Sequence, residues 1–294
     1  MQEVRTILVP VDFSAHSRAA ALRACELADV SGASIRLIHA LDLPAIAKQR
    51  GLAHHLYDEL RRSEKKKLAD LLADLAHRKL RVSGTLEERE PNDMIAEAAA
   101  SEDVDLIVMG THGYRGLDRM FLGSVAERTI MTTGTPVMTV KENEWDAASK
   151  IRRILLAVDP SSGAEAAAAL AIGWAGLLGA EIEVVHVVED TSNSSGTANW
   201  SRQAASERLD AMVHDMSEQG ISAIAELMDG PAAIGIEKRS EAGRFDLLVL
   251  GRSKAMQSSR GFFGSVSASL LKRVKCSVLL GPGMESGSAT EPMS

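Results

Sequence analysis

The segment from Gly110 to Val125, GTHGYRGLDRMFLGSV, has the residue types and spacing best suited to gripping an anion. It follows the apolar run DLIVMG and leads into SVAERTI, so it reads as the passage from a strand end to a helix start. Gly110 and Gly113 permit positive φ and let backbone approach a ligand closely. Gly123 and Ser124 would present free N–H groups at a helix N-terminus, where hydrogen bonding and the helix dipole both favour negative charge. The Ser124 hydroxyl adds a further contact. This pattern reads as a phosphate cradle. A tight turn followed by an ordinary N-cap uses the same residues and stays open on this ground alone. Asp12 closes the run VRTILVPVD at another expected strand end, where it either meets a ligand or caps the next helix together with Ser14.

Other chemistries lack their residues. No GxSxG, HExxH, CxxC pair or P-loop closing on GK[ST] is present. The first strand ends in VDFS rather than GxGxxG, which disfavours a dinucleotide-dependent dehydrogenase. Asp12 has no neighbouring acidic pair of the kind a Mg2+-dependent phosphoacceptor needs. His54 and His55 lack spaced partner ligands. His39 and His186 sit inside apolar strands and read as core histidines, and Lys65, Lys66 and Lys67 read as the solvated side of a helix. His112, Arg115 and Arg119 are the polar groups near the cradle in sequence, and none is an evident base, so phosphoryl transfer there would be slow or incidental.

Composition sets the class. Over 294 residues, Lys+Arg number 33 and Asp+Glu 40, a formal net charge of -7 that argues against a dedicated nucleic-acid or anionic-membrane binder. Aromatic residues are only 3%, too few for a base-stacking surface. Hydrophobic residues at 45% support a sizeable core. No apolar run is long enough to span a bilayer and no secretory signal is read at the N-terminus. Cys25 and Cys276 are far apart and form no metal-type spacing, and a reducing cytoplasm is the expected location.

The elements that must position the cradle occur twice. VRTILVPVD at 4–12 is answered by IRRILLAVD at 151–159, and SIRLIHAL at 34–41 by EIEVVHVV at 181–188, both at an offset of 147. FLGSVAE at 121–127 returns as FFGSVSA at 262–268 at an offset of 141, so the second copy has lost six residues midway. Between the strands the period is helical. Helices are expected over about 15–31, closed by Gly32, and over 54–79 with Leu56, Leu60, Leu68, Leu71, Leu72 and Leu75 on one face. Two more would open at Pro91 and at Gly123-Ser124, with counterparts at 163–180, Pro231 and Gly264-Ser265. The prediction is an α/β protein of two tandem Rossmann-like, doubly wound domains, each a five-stranded mostly parallel sheet with helices on both faces. Residues 1–143 form the first domain and 150–283 the second, separated by the linker 142–150. A Ser/Asn-rich loop is expected over 189–201 and a disordered tail over 284–294.

The spacing G-x2-G-x9-G-S at Gly110, Gly113, Gly123 and Ser124 resembles the ATP-binding signature of the universal stress protein family. VPVDFS at 9–14, LIHAL at 37–41 and TPVMTVK at 135–141 are similar to that family as well, and the resemblance covers the chain twice. It implies an ATP-binding regulatory or stress-response protein. Pro10, Val11 and Asp12 would meet the adenosine end, the backbone at Ala40 would lie beside the adenine edge, and Gly110, Gly113, Gly123, Ser124 and Val125 would hold ribose and phosphates. Mg2+ would be held through the phosphates rather than by a protein metal site. The second copy keeps Asp159, Gly251, Gly264 and Ser265 but has Lys254 in place of the second glycine, where a side chain is unfavourable if the backbone needs positive φ. Lys254 or Arg252 could instead supply charge to a phosphate; the steric reading leaves that copy weakened and chiefly structural. The family resemblance also implies that the last strands, 136–141 and 277–281, meet in an intrachain pseudo-dimer. Further homodimerisation and an unknown protein partner complete the expectation. The alternatives are a slow ATP-hydrolysing enzyme and a nucleotide-free interaction scaffold.

Overall fold

A computed structural model describes residues 4–42, 54–101, 103–111, 122–141, 150–159, 163–189, 202–252 and 265–282, with backbone alone for 54–56. The first half runs β1 (Thr6–Pro10), α1 (Ala15–Ser31), β2 (Ser34–Ala40), α2 (His54–Ala76), β3 (Val82–Glu87), α3 (Pro91–Ala99), β4 (Leu106–Gly110), α4 (Ser124–Thr132) and β5 (Val137–Val140). The second repeats it as β6 (Arg153–Ala157), α5 (Gly163–Leu178), β7 (Glu181–Val188), α6 (Arg202–Glu218), β8 (Ala223–Asp229), α7 (Ala232–Ala242), β9 (Leu247–Leu250), α8 (Ser265–Arg273) and β10 (Ser277–Leu280).

Local signals set the helix ends. Ser14 caps α1 by accepting from the Ser17 N–H, and Gly32 closes it at φ 74, a left-handed turn that glycine adopts without a Cβ penalty. Pro91 opens α3 in its first turn, whereas Pro231 stands one residue outside α7 as its N-cap. Helix α2 stops at Ala76, three residues short of the expected end. Leu68, Leu71 and Leu75 are buried as expected, but Leu60 is 40% exposed. A 23-residue helix spans about 35 Å while a six- or seven-residue strand spans only about 20 Å, so the first turns of α2 overshoot the sheet that would cover Leu60. Leu56, linker residues 142–149, loop residues 190–201 and the tail lie outside the residues whose side chains are described.

The strands form one sheet in the order β3-β2-β1-β4-β5-β10-β9-β6-β7-β8. Within each half every pairing is parallel, and the halves join through antiparallel β5 and β10, with Thr139 opposite Val278 and Met138 opposite Leu279. All four residues of each of these strands are buried. Left unpaired, both would be apolar edges exposing backbone donors and acceptors; joining them removes two edges at once. The core lies on both faces of this sheet. Ile7, Val9 and Leu156 pack under α1, α2, α5 and α6, and Leu8, Ile107 and Leu248 pack under α3, α4, α7 and α8. Helices α1 and α5 touch across the boundary between halves, and Glu26 of α1 accepts a 2.8 Å hydrogen bond from the Ile151 N–H.

Candidate functional site

In the first half, β1 lies between β2 and β4, and the chain leaves it in opposite directions on its two sides. The crevice beyond the strand C-termini at such a reversal is where α/β sheets bind ligands. Pro10, Ala40 and Gly110 end these three neighbouring strands, with Val11 and Asp12 the next two residues after β1, so the structure gathers the expected adenosine-side residues at one sheet edge. The Val11 N–H donates to the Ile38 carbonyl at 2.9 Å and extends the β1–β2 ladder to that edge. The Thr111 N–H donates to the Val140 carbonyl, and the Thr111 carbonyl accepts from the Gly123 N–H at 2.7 Å. That second bond ties the start of α4 back to the end of β4. Gly123 is the N-cap of α4 (φ -60, ψ 144) and supplies no side-chain cap; Ser124 is exposed and Val125 half-buried. Among the described residues no side-chain oxygen caps the first-turn amides of α4, the arrangement that suits an anion.

Asp12 is engaged locally: its Oδ1 accepts from the Ser14 N–H at 3.1 Å and from the Ser14 hydroxyl at 2.6 Å. Capping itself falls to Ser14, and Asp12 braces the cap. Between them, Phe13 is held at φ 63, a conformation costing about 1–2 kcal/mol for a residue with a Cβ. Its ring lies 4.5 Å from that of buried His39, whose Nδ1 is 2.7 Å from the Val11 carbonyl. A carbonyl can only accept, so Nδ1 carries the proton. His39 Nε2 faces Glu64 Oε2 at 3.4 Å, and Lys67 donates to the other Glu64 oxygen at 2.9 Å. The carbonyl of Val11 is thus pinned by a Phe13–His39–Glu64–Lys67 cluster. Sequence reading placed His39 in the core correctly but missed Phe13 and Glu64, because a positive φ in a non-glycine residue carries no sequence mark.

The second half repeats the frame. The Val158 N–H donates to the Val185 carbonyl at 3.0 Å, and buried His186 bonds the Val158 carbonyl at 2.8 Å. Asp159 is exposed after β6, Gly251 follows β9 and Ser265 opens α8. Where the first half has Phe13, Glu64 and Thr111, the second has Pro160, Ala205 and Arg252.

A model of the universal stress protein family matches residues 3–141 and again 150–282. The chain belongs to the universal stress protein family. A universal stress protein of Methanocaldococcus jannaschii is 33% identical over 140 residues, 47% of this chain and 82% of that protein. One from Thermus aquaticus is 30% identical over 138 residues, 47% of this chain and 98% of its own. Among solved structures, a universal stress protein of Archaeoglobus fulgidus matches with a TM-score of 0.72 at 21% identity, over 95% of this chain and 97% of that one, which speaks for the fold of both halves together.

Within this universal stress protein, one expectation is corrected and the less favoured of two alternatives loses support. Gly110 does not take positive φ. A Cβ there would sit 2.8 Å from the His16 Cβ and 2.9 Å from the His16 carbonyl carbon, so the missing side chain admits helix α1. The pattern recurs at Gly251, whose Cβ would lie 2.7 Å from the backbone of Gly163 in α5. The alternative in which Arg252 supplies charge to a phosphate is the one that loses support, because its side chain is directed into the other half. It is 5% exposed and reaches into the first half, donating from Nη1 to the carbonyls of Ile130 (3.0 Å) and Thr133 (2.7 Å) and from Nη2 to that of Thr135 (2.8 Å). Burial alone lowers its pKa to about 10, so it stays charged at neutral pH. The repeat comparison held the clue, since arginine replaces a small residue at a buried strand end. Gly113, Gly264, Lys254, His112, Arg115 and Arg119 lie outside the described residues.

No group of three or more His, Cys, Asp or Glu side chains that could hold a metal occurs among the described residues. None of their helices is long and apolar enough to cross a membrane. Lys65, Lys66 and Lys67 are exposed as expected, and Lys66 pairs with Asp70 at 2.8 Å.

Proposed function

We propose that the first half, residues 1–143, binds ATP in the crevice at the ends of β1, β2 and β4, with adenosine toward Pro10, Val11, Asp12 and Ala40 and the phosphates on the open N-terminus of α4. The Thr111–Gly123 hydrogen bond carries this reading, because it fixes an uncapped helix start beside the strand ends. Mg2+ would be held through the phosphates, which supply hard oxygen ligands. The second half, 150–283, is chiefly structural: Arg252 is turned away from its crevice, and Pro160 and Ala205 stand where the first half has Phe13 and Glu64. Binding itself is the function, serving a stress response in the cytoplasm by altering contacts with a protein partner.

Calorimetric titration with Mg-ATP should give one site per chain. Ser124→Glu places a carboxylate where the phosphates would sit and should lower ATP affinity at least about tenfold. The same charge at a helix N-terminus stabilises the free protein by about 0.3–1 kcal/mol, so lost binding would not reflect unfolding. Ser265→Glu should leave the affinity unchanged. Two sites per chain would overturn the structural role of the second half, and absence of binding would overturn the nucleotide reading.

A further inference from the structure

Helix α4 has nine residues, so its two ends are only about 14 Å apart. One end faces the proposed phosphate position. The other is held by a residue of the opposite half, because Arg252 supplies three charged hydrogen bonds to the carbonyls of Ile130, Thr133 and Thr135. Ile130 lies in the last turn of α4, and Thr133 and Thr135 in the segment leading to β5. These carbonyls would otherwise be left by the unwinding helix, where a cation is favoured by both hydrogen bonding and the dipole. The arrangement is returned in the other direction: Lys141, just after β5, donates from Nζ to the carbonyls of Lys272, in the last turn of α8, and of Val274 just beyond it. The two caps come from unlike positions of the repeat, since the counterpart of Arg252 is Thr111 and that of Lys141 is Pro282. Each half thus closes the helix whose N-terminus faces the other half's crevice.

Resting on the nucleotide reading above, we propose that Arg252 is a positioning residue for the first-half site: through α4 it holds the phosphate-binding amides in place, so the first half binds ATP fully only when the second half is docked. The guanidinium touches no ligand. It acts by keeping a short helix wound and oriented and by placing a buried positive charge at the end remote from the anion. Reciprocity follows: whatever ATP does to the order of α4 is felt at Arg252, the residue after the second half's own strand end Gly251.

The test uses the full chain as wild type, Arg252→Lys and Arg252→Met, titrated with Mg-ATP and separately with adenosine. Removing the cap should weaken ATP binding about three- to tenfold, the range expected for a charged group at a helix terminus. Lysine, which keeps the charge but not the forked geometry, should recover part of the loss. Adenosine affinity should fall much less than ATP affinity, because Pro10, Val11, Asp12 and Ala40 lie at or just past the ends of β1 and β2, and α4 meets adenosine only through the ribose. Equal loss for ATP and adenosine would reduce Arg252 to a structural role, and unchanged ATP binding in a folded Arg252→Met protein would overturn the proposal. Should that variant not fold, hydrogen exchange on the wild type decides: saturation with ATP should slow exchange at Thr132, Thr133 and Arg252, and no change there overturns the coupling. A wild type that binds adenosine and not ATP, or neither, refutes the nucleotide reading first and this inference with it.

Discussion

Replacing Gly110 by alanine separates two reasons for a glycine at a binding site. If the residue serves a ligand, the free protein should tolerate a methyl group and only binding should suffer. The geometry says otherwise. The new Cβ would meet His16 Cβ at 2.8 Å and the His16 carbonyl carbon at 2.9 Å, whereas unstrained carbon pairs sit at about 3.5–4.0 Å. One of the two contacts is backbone, so no rotamer change relieves it, and α1 must retreat by roughly 0.6–1.2 Å from the end of β4, the shortfall against that separation. Overpacking of this kind costs about 1–3 kcal/mol. Urea unfolding of the nucleotide-free protein is the assay, with Gly176→Ala as its control. Gly176 lies inside α5, where an added Cβ meets only Ile221 Cδ1 at an ordinary 3.6 Å, so alanine there should stabilise by about 0.5–1 kcal/mol. A Gly110→Ala protein as stable as wild type within about 0.5 kcal/mol, yet impaired in ATP binding, would refute the packing argument and return Gly110 to the ligand.

Further expectations concern buried ionisable groups. Burial lowers the Lys141 pKa to about 8, against about 10.4 for a free lysine. Between those values the unfolded chain keeps a proton that the native chain has lost, so Lys141 makes stability rise with pH across that window, by about 3 kcal/mol at most. Denaturant unfolding from pH 7 to 10.5 should show wild type gaining on Lys141→Met, and parallel curves would contradict the assignment. Burial raises the thiol of Cys25, which is fully buried, to about 11. In a Cys276→Ser background, a disulfide reagent at pH 8 should therefore label native Cys25 about 100-fold more slowly than in the urea-unfolded chain, since the thiolate is the reactive form. Rapid labelling of Cys25 in the folded state would show that its burial is not maintained.

Much was legible in the residues themselves. Apolar strand runs, the shift to helical spacing between them and the doubling of the whole pattern determined an α/β fold written twice. Gly32, Pro91 and the pair Gly123-Ser124 marked helix ends, because caps and turns are made by neighbours in the chain. For the same reason the candidate crevice could be named residue by residue: strand C-termini are local, and parallel order brings them to one edge. The placement of Leu60 failed because helical periodicity says which residues share a face and not how far the sheet beneath them extends. The role of Gly110 changed because its crowding partner, His16, belongs to another element. Phe13, Glu64, Lys141 and Arg252 acquired their parts only on folding. Each depends on a contact between segments remote in sequence, and in the last two cases on the antiparallel joining of β5 to β10, which brings the ends of α4 and α8 within reach of the opposite half. Sequence determined what each half is; tertiary structure decided that the halves complete one another's helices, since a cation finds those carbonyls only after the strands have paired.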